Sequence, residues 1–317
     1  MHTPYHDKFK KNGYWYSFND FLTQRFGEKV YKVTVSAGFT CPTRDGTRGD
    51  KGCAFCDERG SSSFFSAERA FSSIQDQIAA SIPGIKARFR AHKFLAYFQS
   101  FTNTYGPLAY LQQVYDAALN YPDIVGLCIG TRPDCIPNEA LALIDSYGHP
   151  NRLISLELGL QSFREDALIF YDRGHTAAEG IDGVQRALKF KNINVAVHLM
   201  FGAPGDTVET AIDAAKRLND LGVHGVKIHQ LMILKDTVLA TRYAVAPFHT
   251  YSINEYNEIA IAFLEHLSPD IHVERTHALS SHPDELVAPH WASDRFTPLN
   301  ALKAAFESRQ SRQGHAY

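Results

Sequence analysis

Short apolar runs alternate with longer stretches of helical periodicity along most of the chain. Val30–Val35, Phe94–Phe98, Ile124–Ile129, Leu153–Leu158, Val195–Met200 and Gly225–Leu231 are short and almost uniformly apolar, so each reads as a strand buried on both faces. Helical patterns are predicted between them near Ala67–Ile82, where Pro83-Gly84 stops the helix, and near Leu108–Leu119, Glu139–Ser146, Ala177–Lys189 and Val208–Leu221. Strand followed by helix, repeated, predicts a parallel sheet covered by helices. Right-handed crossovers curl such a sheet into an α/β barrel of the triosephosphate-isomerase type, here a partial (β/α)6 barrel with a small C-terminal extension. After Pro247 the rhythm changes to a helix near Ile253–His266, a short strand at His272–Thr276, a polar loop to Pro298 and a last helix. Residues from about Ser308 are expected to fray. The expected division is an N-terminal extension over 1–29, the barrel over 30–247 and a C-terminal helical extension over 248–317.

The first strand enters a polar loop, residues 38–60 (GFTCPTRDGTRGDKGCAFCDERG), that holds Cys41, Cys53 and Cys56 of the chain's 5 cysteines. Pro42 and four glycines (Gly46, Gly49, Gly52, Gly60) forbid a continuous helix or strand, so the backbone is free to wrap around a bound group. Three thiolates with no histidine in the loop suit an iron-sulfur cluster with one iron left without a protein ligand. A CxxC pair alone is equally a structural zinc site, with His92, His198 or His229 as a further ligand, or a redox dithiol. A disulfide is the weakest reading, because cysteines are sparse and no secretory signal precedes them.

Composition leaves this picture standing. The 317 residues are 44% hydrophobic and 21% charged, with formal net charge −2, the profile of an ordinary soluble protein. No apolar run of membrane-spanning length occurs. Residues 1–20 carry Lys8, Lys10 and Lys11 with Tyr14, Trp15 and Tyr16 but no apolar signal core, so a cytoplasmic location is expected, with thiols reduced and free to bind metal.

Chemistry in parallel barrels sits at the C-terminal edge of the sheet. That edge carries the cysteine loop, Gln99-Ser100 with Thr102-Asn103, Thr131-Arg132 with Asp134, Glu157 with Gln161-Ser162, His198 and Met200, and Lys227, His229 and Gln230. The motifs CPTRDGTRGDKGCAFC, YFQSFTNTY, IGTRPDC, LELGLQS, HLMFGAPGDT and KIHQLMILKDT follow in order over about Val30–Leu239, with LVAPHW at Leu286–Trp291. This series resembles the radical S-adenosylmethionine superfamily, in which three cysteines hold a 4Fe-4S cluster and an aromatic residue, here Phe55, precedes the last. It is similar to a bacterial family in the branch that resembles the catalytic subunit of the elongator complex, a branch sharing motifs with oxygen-independent coproporphyrinogen oxidase. The gap between Cys41 and Cys53 is longer than the commonest spacing, so the flanking motifs carry the likeness.

The resemblance implies Cys41, Cys53 and Cys56 as cluster ligands and catalytic residues, with S-adenosylmethionine as second cofactor. Gln99, Ser100 and Asn103 stand where a glycine-rich segment usually meets the methionine amino group, although those glycines are missing here. Glu157 and Gln161 match positions that approach the ribose and the methionyl carboxylate. Gly202, in FGAPGDT, matches the turn against adenine, with Asp206 or Thr207 capping the next helix. Arg132 and Asp134 serve as cofactor or substrate contacts, or as a turn-stabilising ion pair. His198 and His229 serve as proton or substrate contacts, or as satisfied interior histidines. Cys128 reads as a small buried hydrophobe and Cys135 as a thiol near the site. The same kinship implies a transfer RNA wobble uridine as substrate and an electron donor such as flavodoxin or ferredoxin. Lys86, Arg88, Arg90, Lys93, Arg186, Lys189 and Lys191 are then candidate phosphate contacts, and Tyr97, Phe101 and Tyr105 candidate stacking platforms. The rival readings are a radical enzyme on a small metabolite such as a porphyrin precursor, and a zinc-bound nucleic-acid-binding module.

Overall fold

The structure, a computed structural model, describes residues 9, 13–60 and 73–317. Lys8, Lys10 and Lys11 and the start of the helix expected from Ala67 lie outside the described residues. Strands β1 (Val30–Val35), β2 (Lys93–Phe98), β3 (Ile124–Thr131), β4 (Leu153–Gln161), β5 (Ile193–Phe201) and β6 (Gly225–Gln230) pair in chain order, all parallel. A short strand β7 (Ile233–Leu234) leaves the sheet, and β8 (His272–Arg275) returns to lie parallel beside β6. The result is a 7-stranded curled half-barrel, one strand wider than the expected six. The segment after 247 supplies that strand because Val273, paired with Val226, otherwise leaves apolar surface and the β6 edge uncovered. β9 (Leu286–Ala288) pairs antiparallel with β7 above the sheet.

Apolar content alone hides how the strands divide their two faces. All nine residues of β4 are buried, but Ile154, Leu156, Leu158 and Leu160 belong to the main core under the helices. The intervening Ser155, Glu157, Gly159 and Gln161 point by alternation into the barrel. β5 does the same, with Val195, Val197, Leu199 and Phe201 outward and Asn194, His198 and Met200 inward. The floor of the half-barrel is closed by the helix Phe18–Phe26, whose Phe18 and Leu22 pack against Leu95, Tyr97, Cys128 and Leu153. Thr176 with Glu179, Thr207 with Thr210, and Ser252 with Glu255 close capping boxes that fix where three helices begin.

Two expectations fail for identifiable reasons. The helix expected to end at Pro83 runs Ile74–Phe89 and stops at Arg90, whose φ is 52°. Pro83 and Gly84 lie on its exposed side, and the proline costs about 3 kcal/mol. Contacts made beyond the proline offset that cost: Ile85 packs against the main core and Phe89 stacks on Tyr31 with ring centroids 4.3 Å apart. The tail expected to fray from Ser308 is tied down. Gln313 is 1% exposed and donates to the carbonyls of Ser268 (2.7 Å) and Ile271 (2.8 Å), while its Oε1 accepts from Tyr16 N (2.9 Å). Among the described residues, no helix is long and apolar enough to cross a membrane.

Gly183 shows how closely the layers approach. A Cβ there would stand 2.2 Å from the carbonyl oxygen of Pro133. Alanine improves helix propensity by about 1 kcal/mol, but pushing a helix off backbone costs more, typically 1–3 kcal/mol and here at the upper end. Gly183→Ala is therefore expected to lower the melting temperature, and a rise would contradict the close approach.

Candidate active site

At the C-terminal edge of the strands a cavity of about 270 Å³ opens between the cysteine loop, the ends of β2 to β6, and the segment Ala278–His282. Cys41, Cys53 and Cys56 all line it. The loop is held by its own backbone: Arg44 N and Asp45 N donate to Cys41 O (2.9 and 3.2 Å), Gly52 N to Thr43 O (2.7 Å), and Cys56 N to Cys53 O (2.9 Å). Ala54 anchors it to the barrel, donating to Tyr171 O and accepting from Leu239 N, each at 2.8 Å. Phe55 lines the cavity and meets Tyr171 edge-on at 5.6 Å.

Cationic and polar groups surround the sulfurs. Arg173, 5% exposed, donates from Nη1 to Cys53 Sγ (3.0 Å) and from Nη2 to Gly159 O (2.6 Å). Cys41 Sγ lies 2.8 Å from the Thr102 hydroxyl. Burial raises the Cys41 thiol against the pull of Arg132 and Arg173, and pushes Cys56 up to about 12. Buried thiols of this kind release their protons to a metal. Around the same rim Arg132 Nη1, Gln161 Oε1 and Arg173 Nε are buried without partners. Gln161 holds φ at 71° where β4 bulges against β5, a strained conformation that places its amide over Gly159. Among the described residues no three His, Cys, Asp or Glu side chains close on a point as a lone metal ion requires. Three thiols around a wider space, with cations to offset their charge and unmet polar atoms beside them, fit a larger sulfur-ligated group and a polar co-ligand.

Below the loop lies a buried ionic network. Glu157, 1% exposed, accepts from Lys32 Nζ (2.6 Å), Lys227 Nζ (2.9 Å), the Tyr97 hydroxyl (2.9 Å) and His198 Nε2 (3.0 Å). Lys32 also pairs with Glu274 (2.6 Å), joining the first strand of the sheet to the last. Burial alone would raise the Glu157 pKa, but Lys227 and Lys32 with the His198 hydrogen bond hold it well below the usual range. Burial and the Lys227 charge push His198 down to about 3, so it is neutral and its Nε2–H donates a hydrogen bond rather than forming an ion pair. His229 is likewise held neutral by burial and by Arg275, with Nδ1–H on Gln230 O (2.9 Å).

Of the residues singled out in the sequence, Cys41, Cys53, Phe55, Cys56, Gln99, Arg132, Glu157, Gln161, His198 and His229 are brought to this one cavity. Ser100, Asn103 and Gly202 are not among its lining residues. The Asn103 amide donates to the carbonyls of Phe98, Ser100 and Gly130 at 3.2, 3.1 and 2.8 Å, so it fastens β2 to β3. Gly202 belongs to a turn held by Asp206, which accepts from Gly202 N (2.8 Å) and Ala203 N (2.9 Å) while Thr207 caps the helix. Glu157 has its oxygens occupied by four donors. Arg132 forms a bidentate pair with Asp134 (3.0 and 2.9 Å) and still turns Nη1 to the cavity side. Cys128 is fully buried in the floor.

Sequence reading passed over Arg173, Lys32, Glu274 and Arg275. Lys32 did carry a signal: a lone charge inside the apolar run VYKVTV demands a buried partner. The basic residues proposed for phosphates face elsewhere. Lys86 pairs with Asp123 (2.9 Å) and Lys93 with Glu28 (3.0 Å), and Lys189 and Lys191 precede β5, all at the N-terminal edge away from the cavity. Arg186 is spent on Asp182 (2.7 Å) and Ile136 O (2.6 Å). Tyr97 is likewise locked in the network, leaving Phe101 on the cavity wall.

Residues 45–237 match the Radical SAM superfamily, and residues 223–308 match the Radical_SAM C-terminal domain. The chain belongs to the radical S-adenosylmethionine superfamily. It is an enzyme of that group, whose members use a 4Fe-4S cluster and S-adenosylmethionine. It is 35% identical to Protein YhcC of Escherichia coli over 90% of each chain. It is 30% identical, over 46% of this chain and 26% of the other, to a tRNA uridine(34) acetyltransferase of Methanocaldococcus jannaschii. In fold it is similar to Elp3 of Methanocaldococcus infernus, with TM-score 0.68 and 19% identity over 91% of this chain and 67% of that one.

Proposed function

We propose that Cys41, Cys53 and Cys56 hold the 4Fe-4S cluster, that S-adenosylmethionine binds beside them, and that the enzyme modifies a transfer RNA nucleotide, a wobble uridine side chain. The observation carrying the cofactor assignment is that three thiols and the unpartnered Arg132 Nη1, Gln161 Oε1 and Arg173 Nε meet at one cavity. A bound cluster, reduced by a small carrier such as a flavodoxin or ferredoxin, supplies the electron that cleaves S-adenosylmethionine to a 5′-deoxyadenosyl radical. The chain's own contribution is placement. Arg173 offsets negative charge at Cys53 and offers Nε to an anionic group of the nucleotide cofactor, while Gln99 and Gln161 offer amides. The Glu157 network holds the floor rigid, and Ala278–His282 form part of the cavity wall.

The transfer RNA reading is supported by the likeness to the tRNA uridine(34) acetyltransferase of Methanocaldococcus jannaschii. Arg44, 5.6 Å from the Phe101 ring, lines the cavity with it, and Arg59 does so while paired with Asp57 and Glu285. A small-metabolite substrate is favoured by one observation, the placement of Lys86, Lys93, Lys189 and Lys191 at the opposite edge. Anaerobic reconstitution followed by a 5′-deoxyadenosine assay separates the two. Bulk transfer RNA is expected to raise product formation several-fold and to bind with a steep salt dependence. Product formation indifferent to transfer RNA, with no binding at low salt, removes that substrate and leaves the cofactor assignment intact.

A further inference from the structure

Arg275, at the end of β8, lines the same cavity. Its Nε is buried without a partner, and among the described residues its guanidinium makes no hydrogen bond or ion pair. Of the carboxylates close enough to act on it through space, Glu157 is held by Lys227 and Lys32, and Glu274 pairs with Lys32 through Oε2 while its Oε1 makes no hydrogen bond with Arg275 or any other partner among the described residues. These two lysines balance the two glutamates one for one, and His198 and His229 are neutral. Among the described residues, Arg275 is thus a cation of the cavity floor with no carboxylate of its own. Burial penalises its charge, yet a guanidinium stays protonated in proteins. Arg275 is partly exposed where it lines the cavity, with Nε buried and the rest of the guanidinium reaching accessible space, and its planar fork matches a carboxylate or a phosphate.

We propose that Arg275 is a substrate-binding residue that pairs with an anionic group, carboxylate or phosphate, on the molecule the enzyme acts upon. The proposal rests on the radical-enzyme reading of this cavity and is separate from the cofactor contact assigned to Arg173 beside Cys53. The other carboxylates that line the cavity, Asp57 and Glu285, are both paired with Arg59, and Gln230 is spent on Ala278 through two hydrogen bonds of 2.7 and 3.0 Å.

The test compares reconstituted wild type and Arg275→Gln on bulk transfer RNA and, separately, on an acid-soluble cell extract, identifying by mass spectrometry the species each consumes. The consumed species is expected to bear the anion, so that turnover is lost on methyl esterification if it is a carboxylate or on phosphatase treatment if it is a phosphate. In Arg275→Gln its KM is expected to rise on the order of 100-fold, the effect of unpairing a buried charge, while the Kd for S-adenosylmethionine moves less than about threefold. A neutral consumed species, an unchanged KM, or an equal loss of S-adenosylmethionine affinity overturns the proposal. Which pool holds the species decides the transfer RNA reading independently. If neither pool is turned over, melting of the substrate-free protein decides. Arg275→Met is expected to melt above wild type, and acetate or inorganic phosphate to raise the wild type alone. A lower melting point for the variant, or no anion effect on the wild type, means that Arg275 serves the fold and the proposal is wrong.

Discussion

Alanine at any one of Cys41, Cys53 or Cys56 is expected to abolish 5′-deoxyadenosine formation, and to leave reconstituted protein without the visible absorbance and the iron and sulfide content of the wild type. The loop offers three sulfurs to one cavity, and no fourth cysteine lines it to take over. With two ligands left, a cluster loses one of its three anchored irons, so the effect is all or none rather than graded. Cys128→Ala is the informative control. Cys128 is fully buried in the barrel floor beside Leu95 and Tyr97, so its loss removes a small packed group at a cost of about 1 kcal/mol and leaves iron binding alone. Wild-type iron and product in any one of the three loop variants would sink the assignment of that cysteine.

Glu157→Ala is expected to be the most destabilising single change in the barrel. It leaves Lys227 buried with no carboxylate in contact, and Lys32 with Glu274 alone. Breaking a buried charge network by removing one partner costs about 3–5 kcal/mol, whereas an exposed pair such as Arg217 with Asp213 contributes at most about 1 kcal/mol. The pH dependence follows from the direction of its shift. The Glu157 pKa is held well below normal in the folded chain, so its contribution is complete above the ordinary glutamate value of roughly 4.3. That contribution is lost as pH falls through the folded value. Urea unfolding from neutral pH downward should show the gap between wild type and variant constant at first and closing in acid. A gap that widens in acid would mean that the glutamate is not the acceptor of this network.

The resemblance of the motifs, and the alternation of apolar runs with helical patterns, were enough to reach the half-barrel and the cysteine loop. What the linear pattern concealed was the division of each strand between two faces. In LISLELGLQ every second residue is leucine or isoleucine, and the residues between them line the site. The end expected at Pro83 has the same origin, since local rules stop a helix that the tertiary contacts of Ile85 and Phe89 carry onward. So does the helper set around the cavity. Arg173 and Cys53 are separated by 120 residues, and no spacing rule links them.

By itself the sequence determined the alternating strands and helices of the sheet and the trio of thiols, because periodicity, proline and glycine positions and ligand spacing act over a few residues, whereas the helix Phe18–Phe26 and the β7–β9 pair left no such signal. Only the tertiary structure decided that Glu157 is enclosed by donors rather than open to a ligand, that Lys86, Lys93, Lys189 and Lys191 lie at the far edge, and that Arg275 is left without a counter-charge. Those outcomes depend on which strands curl together, and charge balance in a buried space is a property of the whole enclosure rather than of any stretch of chain.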